Sequence, residues 1–366
     1  MIGGINMKIG ILTIFDNNNY GNRLQNYASQ QILKKLGFGT YTFINDVNCN
    51  FYEKYFVTIS KKIIKKILMW RVNFNRNLRT DNFKKFNDNI DFYKRNINIL
   101  SKIDELDYVI AGSDQIWNPN FDRLSPVDLL CFVKPDKRIA FSASFGVNDI
   151  PDKMKKKVGK ALKSFKAISV RENAGKKIVD ELTGRTDVEV LIDPTMLLTA
   201  DEWDKVSKKP TMLKNDRYIL NYFLGNLSDE RRNEINRVAK ENNCEVINIL
   251  DKESPFYECG PSEFLYLEKN AFLICTDSFH SSVFGILYNT PFLVFEREDN
   301  NASMNSRLDT LLSKFKLEDR RYKGKITKKD LKCDYKEAYN ILDKERIKSM
   351  NFLKKALDIK DSDKNE

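Results

Sequence analysis

His280 is the only histidine among 366 residues, and an unperturbed imidazole is the one side chain that exchanges a proton near neutral pH. It closes the cluster Thr276-Asp277-Ser278-Phe279-His280. An apolar run of strand length precedes that cluster and a helical pattern of apolar residues follows it, so the polar residues occupy a strand-to-helix corner. Open α/β sheets bind ligands at such corners. A lone histidine near a helix start is more often a hydrogen-bonded packing residue; here its position favours function, with Asp277 and Ser278 supplying a carboxylate and a hydroxyl beside it.

Comparable corners recur along the chain. Leu106 to Gly112 delivers Ser113, Asp114 and Gln115 into a loop that continues through Trp117, Asn118 and the helix-stopping Pro119. Ala167 to Val170 runs into Arg171-Glu172, where Arg171 reads either as a fixed cation for an anionic substrate or as the surface partner of Glu172 or another neighbour. Ser306 and Arg307 fall at a helix N-terminus, a setting that favours anions. The first strand, Met7 to Ile14, leads through Asp16 and Asn22 into a helix carrying Leu24, Tyr27, Ala28, Ile32 and Leu33, a layout that aims backbone N–H groups at an anion. That loop matches no glycine-rich phosphate motif, so it reads equally well as an ordinary connection.

The elements needed to position these residues form two successive α/β sets. The first spans residues 7–200 after a loose leader at 1–6, with helices expected at 152–164 and 174–182 and strands at 138–146, 167–170 and 188–192. A polar, lysine-rich linker follows at 201–216, and a second set at 217–332 alternates strands at 218–225, 244–250 and 291–295 with helices at 229–242 and 262–269. A last helix, about 335–357 within a 333–358 segment, is long enough to cross back to the first domain; the charged end is expected to fray. The expected fold class is α/β, two Rossmann-like domains with polar strand ends facing a cleft, which points to a transferase closing on two substrates.

Composition narrows the rest. No apolar run reaches the ~18 residues that span a bilayer, and Gly10 to Phe15 is too short for a signal peptide, so a cytoplasmic location is expected. Six scattered cysteines without a C-x-x-C pair fit reduced thiols, and a single histidine excludes a histidine-rich metal centre. The only Asp-x-Asp, Asp361-Ser362-Asp363, sits in the tail, so no metal ligands are expected. The net charge of +11 is concentrated between Glu53 and Arg95, with twelve Lys/Arg against four Asp/Glu. Within that insertion, at about 45–100, Ile59, Ile63, Ile64, Ile67 and Leu68 form one helical face and Lys61, Lys62, Lys65 and Lys66 another. Such a helix either packs on its own domain or rests on an anionic surface; no nucleic-acid module accompanies it.

Taken together, Gly112 to Pro119, Ser169-Val170-Arg171-Glu172, Asp193-Pro194-Thr195, Thr276 to His280, Asn305-Ser306-Arg307 and the opening Tyr20-Gly21-Asn22 resemble the polysaccharide pyruvyl transferase family over about residues 7–320. The resemblance implies a GT-B-like pair of domains with the active site in the interdomain cleft. It implies transfer of a pyruvyl group from phosphoenolpyruvate, with no other cofactor, to two hydroxyls of a sugar or lipid-linked oligosaccharide, forming a ketal and releasing phosphate. His280 would then be general acid or phosphate partner, Asp114 or Asp277 the base, and Arg171 and Arg307 the anion clamps. Asn22, Ser113, Gln115, Asn118, Ser278 and Ser306 would add neutral contacts. The family commonly has Gly after this histidine where the chain has Ser281, which would bring a hydroxyl towards the site. A nucleotide-sugar glycosyltransferase of GT-B architecture and a non-catalytic glycan-binding relative are the alternatives. Pelleting with anionic vesicles at low salt, abolished when the four lysines at 61, 62, 65 and 66 become Glu, is the expected sign of peripheral membrane contact, at about 1 kcal/mol per lysine; an unbound parent protein sinks that idea.

Overall fold

A computed structural model of the protein describes residues 7–44, 70–93, 105–121, 123–298 and 305–359. The leader, the lysine-faced helix up to residue 69 and residues 360–366 of the tail lie outside them. In the first domain β1 (Lys8–Thr13), α1 (Tyr20–Lys35) and β2 (Gly39–Ile44) are followed by α2 (Trp70–Asn87), β3 (Tyr108–Ala111) and β4 (Arg138–Ala143). Then come α3 (Asp152–Lys163), β5 (Ala167–Val170), α4 (Asn173–Thr183) and β6 (Glu189–Val190). A short helix, α5 (Ala200–Asp204), leads to the second domain. That domain contains β7 (Tyr218–Tyr222), α6 (Asp229–Glu241), β8 (Glu245–Asn248), α7 (Pro261–Asn270), β9 (Leu273–Thr276), α8 (Phe279–Leu287), β10 (Phe292–Val294) and α9 (Asn305–Phe315). The chain ends on α10 (Lys336–Ala356).

Every strand pair is parallel. The six-stranded sheet has the order β2-β1-β3-β4-β5-β6, and the four-stranded sheet β10-β9-β7-β8. Helices cover both faces, which is why β1, β4, β7 and β9 are near-continuous apolar runs instead of alternating patterns. In each sheet the chain moves outward in one direction and then the other, so switch points fall between β1 and β3 and between β7 and β9. Ligands bind at the carboxyl ends of strands beside such points, and in this protein those ends carry Asn22, Asp114 and His280. The architecture is thus α/β, with two Rossmann-like domains in a GT-B-like arrangement.

The domains share one apolar core. Trp203 of α5 is fully buried between Tyr27 of α1 and Phe284 of α8, with ring centroids at 5.5 and 5.2 Å, and its indole N–H donates to the Thr195 carbonyl at 3.0 Å. The capping box of Thr199 and Glu202 fixes the helix that delivers it. Tyr20, at the start of α1, stacks on Phe264 of α7 at 4.4 Å and donates to the Cys259 carbonyl at 2.8 Å. Arg79 of α2 is buried over the Tyr20 ring and donates to Asn18, Tyr257 and Cys259 carbonyls, so it joins the loop after β1 to the second domain. At the other end, α10 returns to the first sheet: Arg346 donates to the Met196 and Leu198 carbonyls and Phe352 stacks on Phe141. No helix among the described residues is long and apolar enough to cross a membrane.

Trp203→Ala removes the largest side chain of this joint and leaves a carbonyl without its donor. The expected cost is about 3–5 kcal/mol, read as a fall in melting temperature in calorimetry; an unchanged melting temperature would show that the joint contributes nothing to stability.

Candidate active site

A cleft of about 490 Å³ opens between the domains, walled by Asn22 and Asp114 from the first and His280, Arg297 and Arg307 from the second. The local sequence explains how each arrives there. Asn19 caps α1 by accepting from the Asn22 amide at 3.1 Å, which sets the first turn so that Asn22 reaches across to donate to Asp114 at 3.1 Å. Asp114 has φ +70°, a left-handed value that aspartate tolerates better than most residues. Its carbonyl accepts from the Ser144 amide at 3.0 Å, and the adjoining β4 edge is itself irregular at Ser142. The end of β3 is therefore bent so that Asp114 faces the cleft, while Ser142 at the end of β4 turns inward to donate to the Ile192 carbonyl at 2.7 Å.

Behind the cleft wall lies a buried charge network. Asp193, wholly buried, accepts from Ser113 at 2.7 Å, from Arg171 at 2.7 Å and from the Thr195 amide and hydroxyl at 2.9 and 2.7 Å. The His280 Nε2 atom sits 3.6 Å from the same carboxylate and has no hydrogen-bond partner among the described residues. Arg171 also approaches Asp114 at 3.6 Å and lies over the Phe279 ring at 4.5 Å. Burial by itself would raise Asp193, but the charges of His280 and Arg171 and the Ser113 hydrogen bond outweigh it and hold the carboxyl far below its ordinary range. Asp114 is shifted the same way: burial opposes, while Arg171, His280, Arg307 and Asn22 prevail. Arg307 is lowered as well, but for a basic group that disfavours the charged form. Its burial, reinforced by the like charge of Arg171, pushes it down to about 10. A buried guanidinium so disfavoured is a group that an anion would stabilise.

His280 needs space that only glycine leaves. A Cβ on Gly21 would stand 1.9 Å from His280 Nδ1, so the glycine of the Tyr20-Gly21-Asn22 turn is what allows helix α1 of one domain to touch the imidazole of the other.

Of the residues singled out in the sequence, Asn22, Asp114, Gln115, Ser278, His280 and Arg307 line the cleft. Gln115, with its amide oxygen towards Arg307, accepts from both terminal nitrogens at 3.2 and 3.1 Å. Others stand one layer back. Ser113 is committed to Asp193 and Asn118 holds the turn after Trp117 through the Asn120 amide at 2.9 Å. The Ser306 hydroxyl is buried at the start of α9 without a partner among the described residues. Arg171 is not a surface ion pair with Glu172, because Glu172 is itself buried and accepts from Ser144, Phe145 and Gly146. Asp277 departs most from its expected place as a base: its two oxygens accept from the Leu224 and Gly225 amides at 2.7 and 2.8 Å and pair with Arg297 at 3.2 Å, away from the cleft surface. Ser281 also turns away, donating to Glu268 at 2.6 Å. Arg297 and Arg123 border the cleft without having been singled out in the sequence, and Asp193 stood there only within the Asp193-Pro194-Thr195 motif, with no role of its own. The one local signal was that Asp193 and Arg297 each follow a strand's carboxyl end.

A family model described as polysaccharide pyruvyl transferase matches residues 19–300. No match was found among curated proteins. Solved structures that align include a putative UDP-N-acetylglucosamine 2-epimerase from Listeria monocytogenes, 14% identical over 94% of this chain and 90% of that one with a TM-score of 0.46. Another is the S. aureus MnaA–UDP co-structure, 11% identical over 98% and 99% with a TM-score of 0.45.

Glu268, fully buried beside Ser281, has its pKa raised well above the usual carboxylate value by loss of water, against which the Ser281 hydrogen bond is the weaker effect. A carboxyl raised on folding favours the folded state least where the unfolded chain is ionised, so its penalty grows as pH rises above the unfolded pKa. Glu268→Gln is therefore expected to melt above the parent at pH 8 and to lose that advantage towards pH 4; equal differences at both pH values would contradict a protonated buried carboxyl.

Proposed function

This chain belongs to the polysaccharide pyruvyl transferase family, and we propose that it moves the pyruvyl group of phosphoenolpyruvate onto two hydroxyls of a sugar in a cell-surface polysaccharide or its lipid-linked precursor. The observation that carries this reading is the meeting, in one cleft, of the buried Arg307, whose charged form burial and Arg171 disfavour, the imidazole of His280 with its Nε2 3.6 Å from Asp193, and the Asp114 carboxyl held low by neighbouring cations.

The reaction makes three demands. Carbon 3 of the enol must gain a proton, two hydroxyl oxygens must bond to carbon 2 with loss of their protons, and the carbon 2–oxygen bond to phosphate must break. Of the two hydroxyl protons, one balances that gained by carbon 3 and the other leaves with phosphate. Arg307, with Arg297 beside it, holds the donor's carboxylate and phosphate; the fork of a guanidinium suits both groups. Arg171, paired with Asp193 at 2.7 Å, fixes that carboxylate behind the wall without occupying the substrate's space. His280 delivers the proton to carbon 3, and the ionised Asp193 3.6 Å away supplies a negative partner for the protonated ring. Positive charge then develops at carbon 2, where a hydroxyl attacks. Asp114, held ionised, is a weak base for a free alcohol, but it accepts the hydroxyl's hydrogen bond and receives the proton as the new carbon–oxygen bond acidifies it. Asn22 and Ser278 add neutral donors to the same wall. The lysine-faced segment upstream of α2 would hold the enzyme near a lipid-linked acceptor.

Phosphate release from phosphoenolpyruvate with a panel of hexose and N-acetylhexosamine acceptors tests this. The parent should release phosphate only with an acceptor, and His280→Ala should lower kcat by about 10²–10⁴. Arg307→Lys should raise the KM for phosphoenolpyruvate more than it lowers kcat. An acceptor-independent release, or a His280→Ala variant as active as the parent, would overturn the assignment, and a melting temperature raised by UDP but not by phosphoenolpyruvate would favour a nucleotide-sugar donor instead.

A further inference from the structure

The large hydrophobic side chains that stand open to solvent among the described residues are Phe121, Leu224 and Ile347. Two of these, Phe121 at 47% exposure and Leu224 at 46%, line the same interdomain cleft, one from each domain. Folding gains little from a phenyl ring left half in water, yet the backbone that carries each side chain is held by buried polar anchors. Trp117 is fully buried against Phe145 and Phe165 and donates its indole N–H to the Asp128 carbonyl at 3.1 Å. Asn118 beside it is fully buried, and its carbonyl accepts from the Phe121 amide at 3.2 Å. On the other side, Asp277 accepts the Leu224 and Gly225 amides with one oxygen each, so the loop after β7 cannot swing away without this buried carboxylate losing both amide donors and keeping only Arg297. Asn118 and Asp277 are thus positioning residues for the two apolar side chains.

We infer that Phe121 and Leu224 form an acceptor subsite that receives the apolar C–H face of a pyranose ring while its hydroxyl edge points inward to Asp114. The identity of the inner ligand rests on the pyruvyl-transfer reading. A small, highly charged donor belongs with the arginines, which are buried. The half-exposed phenyl ring and leucine offer that donor nothing, whereas a sugar ring presents hydrogens bound to carbon on one face and hydroxyls at its edge. Arg123, which also borders the cleft and is tied to Asp128 at 3.4 Å, supplies a polar contact for that edge.

The test uses Phe121→Ala, Leu224→Ala and Phe121→Trp with the methyl glycosides of glucose, galactose, mannose and N-acetylglucosamine. Phe121→Ala should raise the acceptor KM about tenfold, the loss expected for one well-buried apolar contact, with the KM for phosphoenolpyruvate unchanged. Phe121→Trp should keep the parent's acceptor KM, and its emission should shift to the blue on saturation with that glycoside even without phosphoenolpyruvate. Unchanged acceptor KM in both alanine variants, or a Phe121→Trp variant whose emission no glycoside moves, overturns the subsite. A saturable shift with no phosphate release from phosphoenolpyruvate would support the subsite and sink the pyruvyl-transfer reading.

Discussion

The carboxylate of Asp193 is the point on which the site depends. It gathers the hydroxyl of Ser113 from the end of β3, the guanidinium of Arg171 from the end of β5 and its own following turn, and it presents what charge remains to His280 of the other domain. Removing one member of a buried pair leaves an uncompensated charge, at a cost of about 3–5 kcal/mol, so these groups specify one another. The same charges that make the network stable only as a whole keep Asp114 ionised and hold Arg307 where an anion would stabilise it.

Such a network acts across two domains only if the domains hold still. Trp203, Tyr20 and Arg79 meet that requirement by placing buried apolar and stacked contacts between the two domains. The return of α10 to the first sheet adds a second tie. A rigid joint permits preorganised donors, which supply charge stabilisation without rearrangement during reaction. It also tolerates the left-handed backbone of Asp114, a strain that persists only where surroundings over-determine it. The half-exposed Phe121 and Leu224 border the same cleft as the buried Arg307.

The buried carboxylates divide by what surrounds them. Asp193 and Asp114 have cations within reach that hold them below the ordinary carboxylate range; Glu268 has a single hydroxyl, and burial raises it well above that range. Ser281 belongs to that second group, and its hydroxyl consequently stabilises the packing of α8 on α7 and leaves the reaction space to its neighbour His280.

Local sequence by itself determined the alternation of buried strands with amphipathic helices, the division into two α/β sets and the corners at Asp114, Arg171 and His280, because strand burial, helix periodicity and turn chemistry are short-range properties. It also marked Asn22, Gln115 and Ser278, which do line the cleft. Which polar residues face the cleft and which serve as anchors was decided only by the tertiary structure. Asp277 and Asp114 are equivalent as sequence, each an aspartate after a buried strand; the one is consumed by two backbone amides and Arg297, the other is bent outward by its own left-handed backbone. Asp193 meets His280 from a distant part of the chain, and Phe121 meets Leu224 across the cleft, because partners far apart in sequence are set by domain packing, which no local pattern encodes.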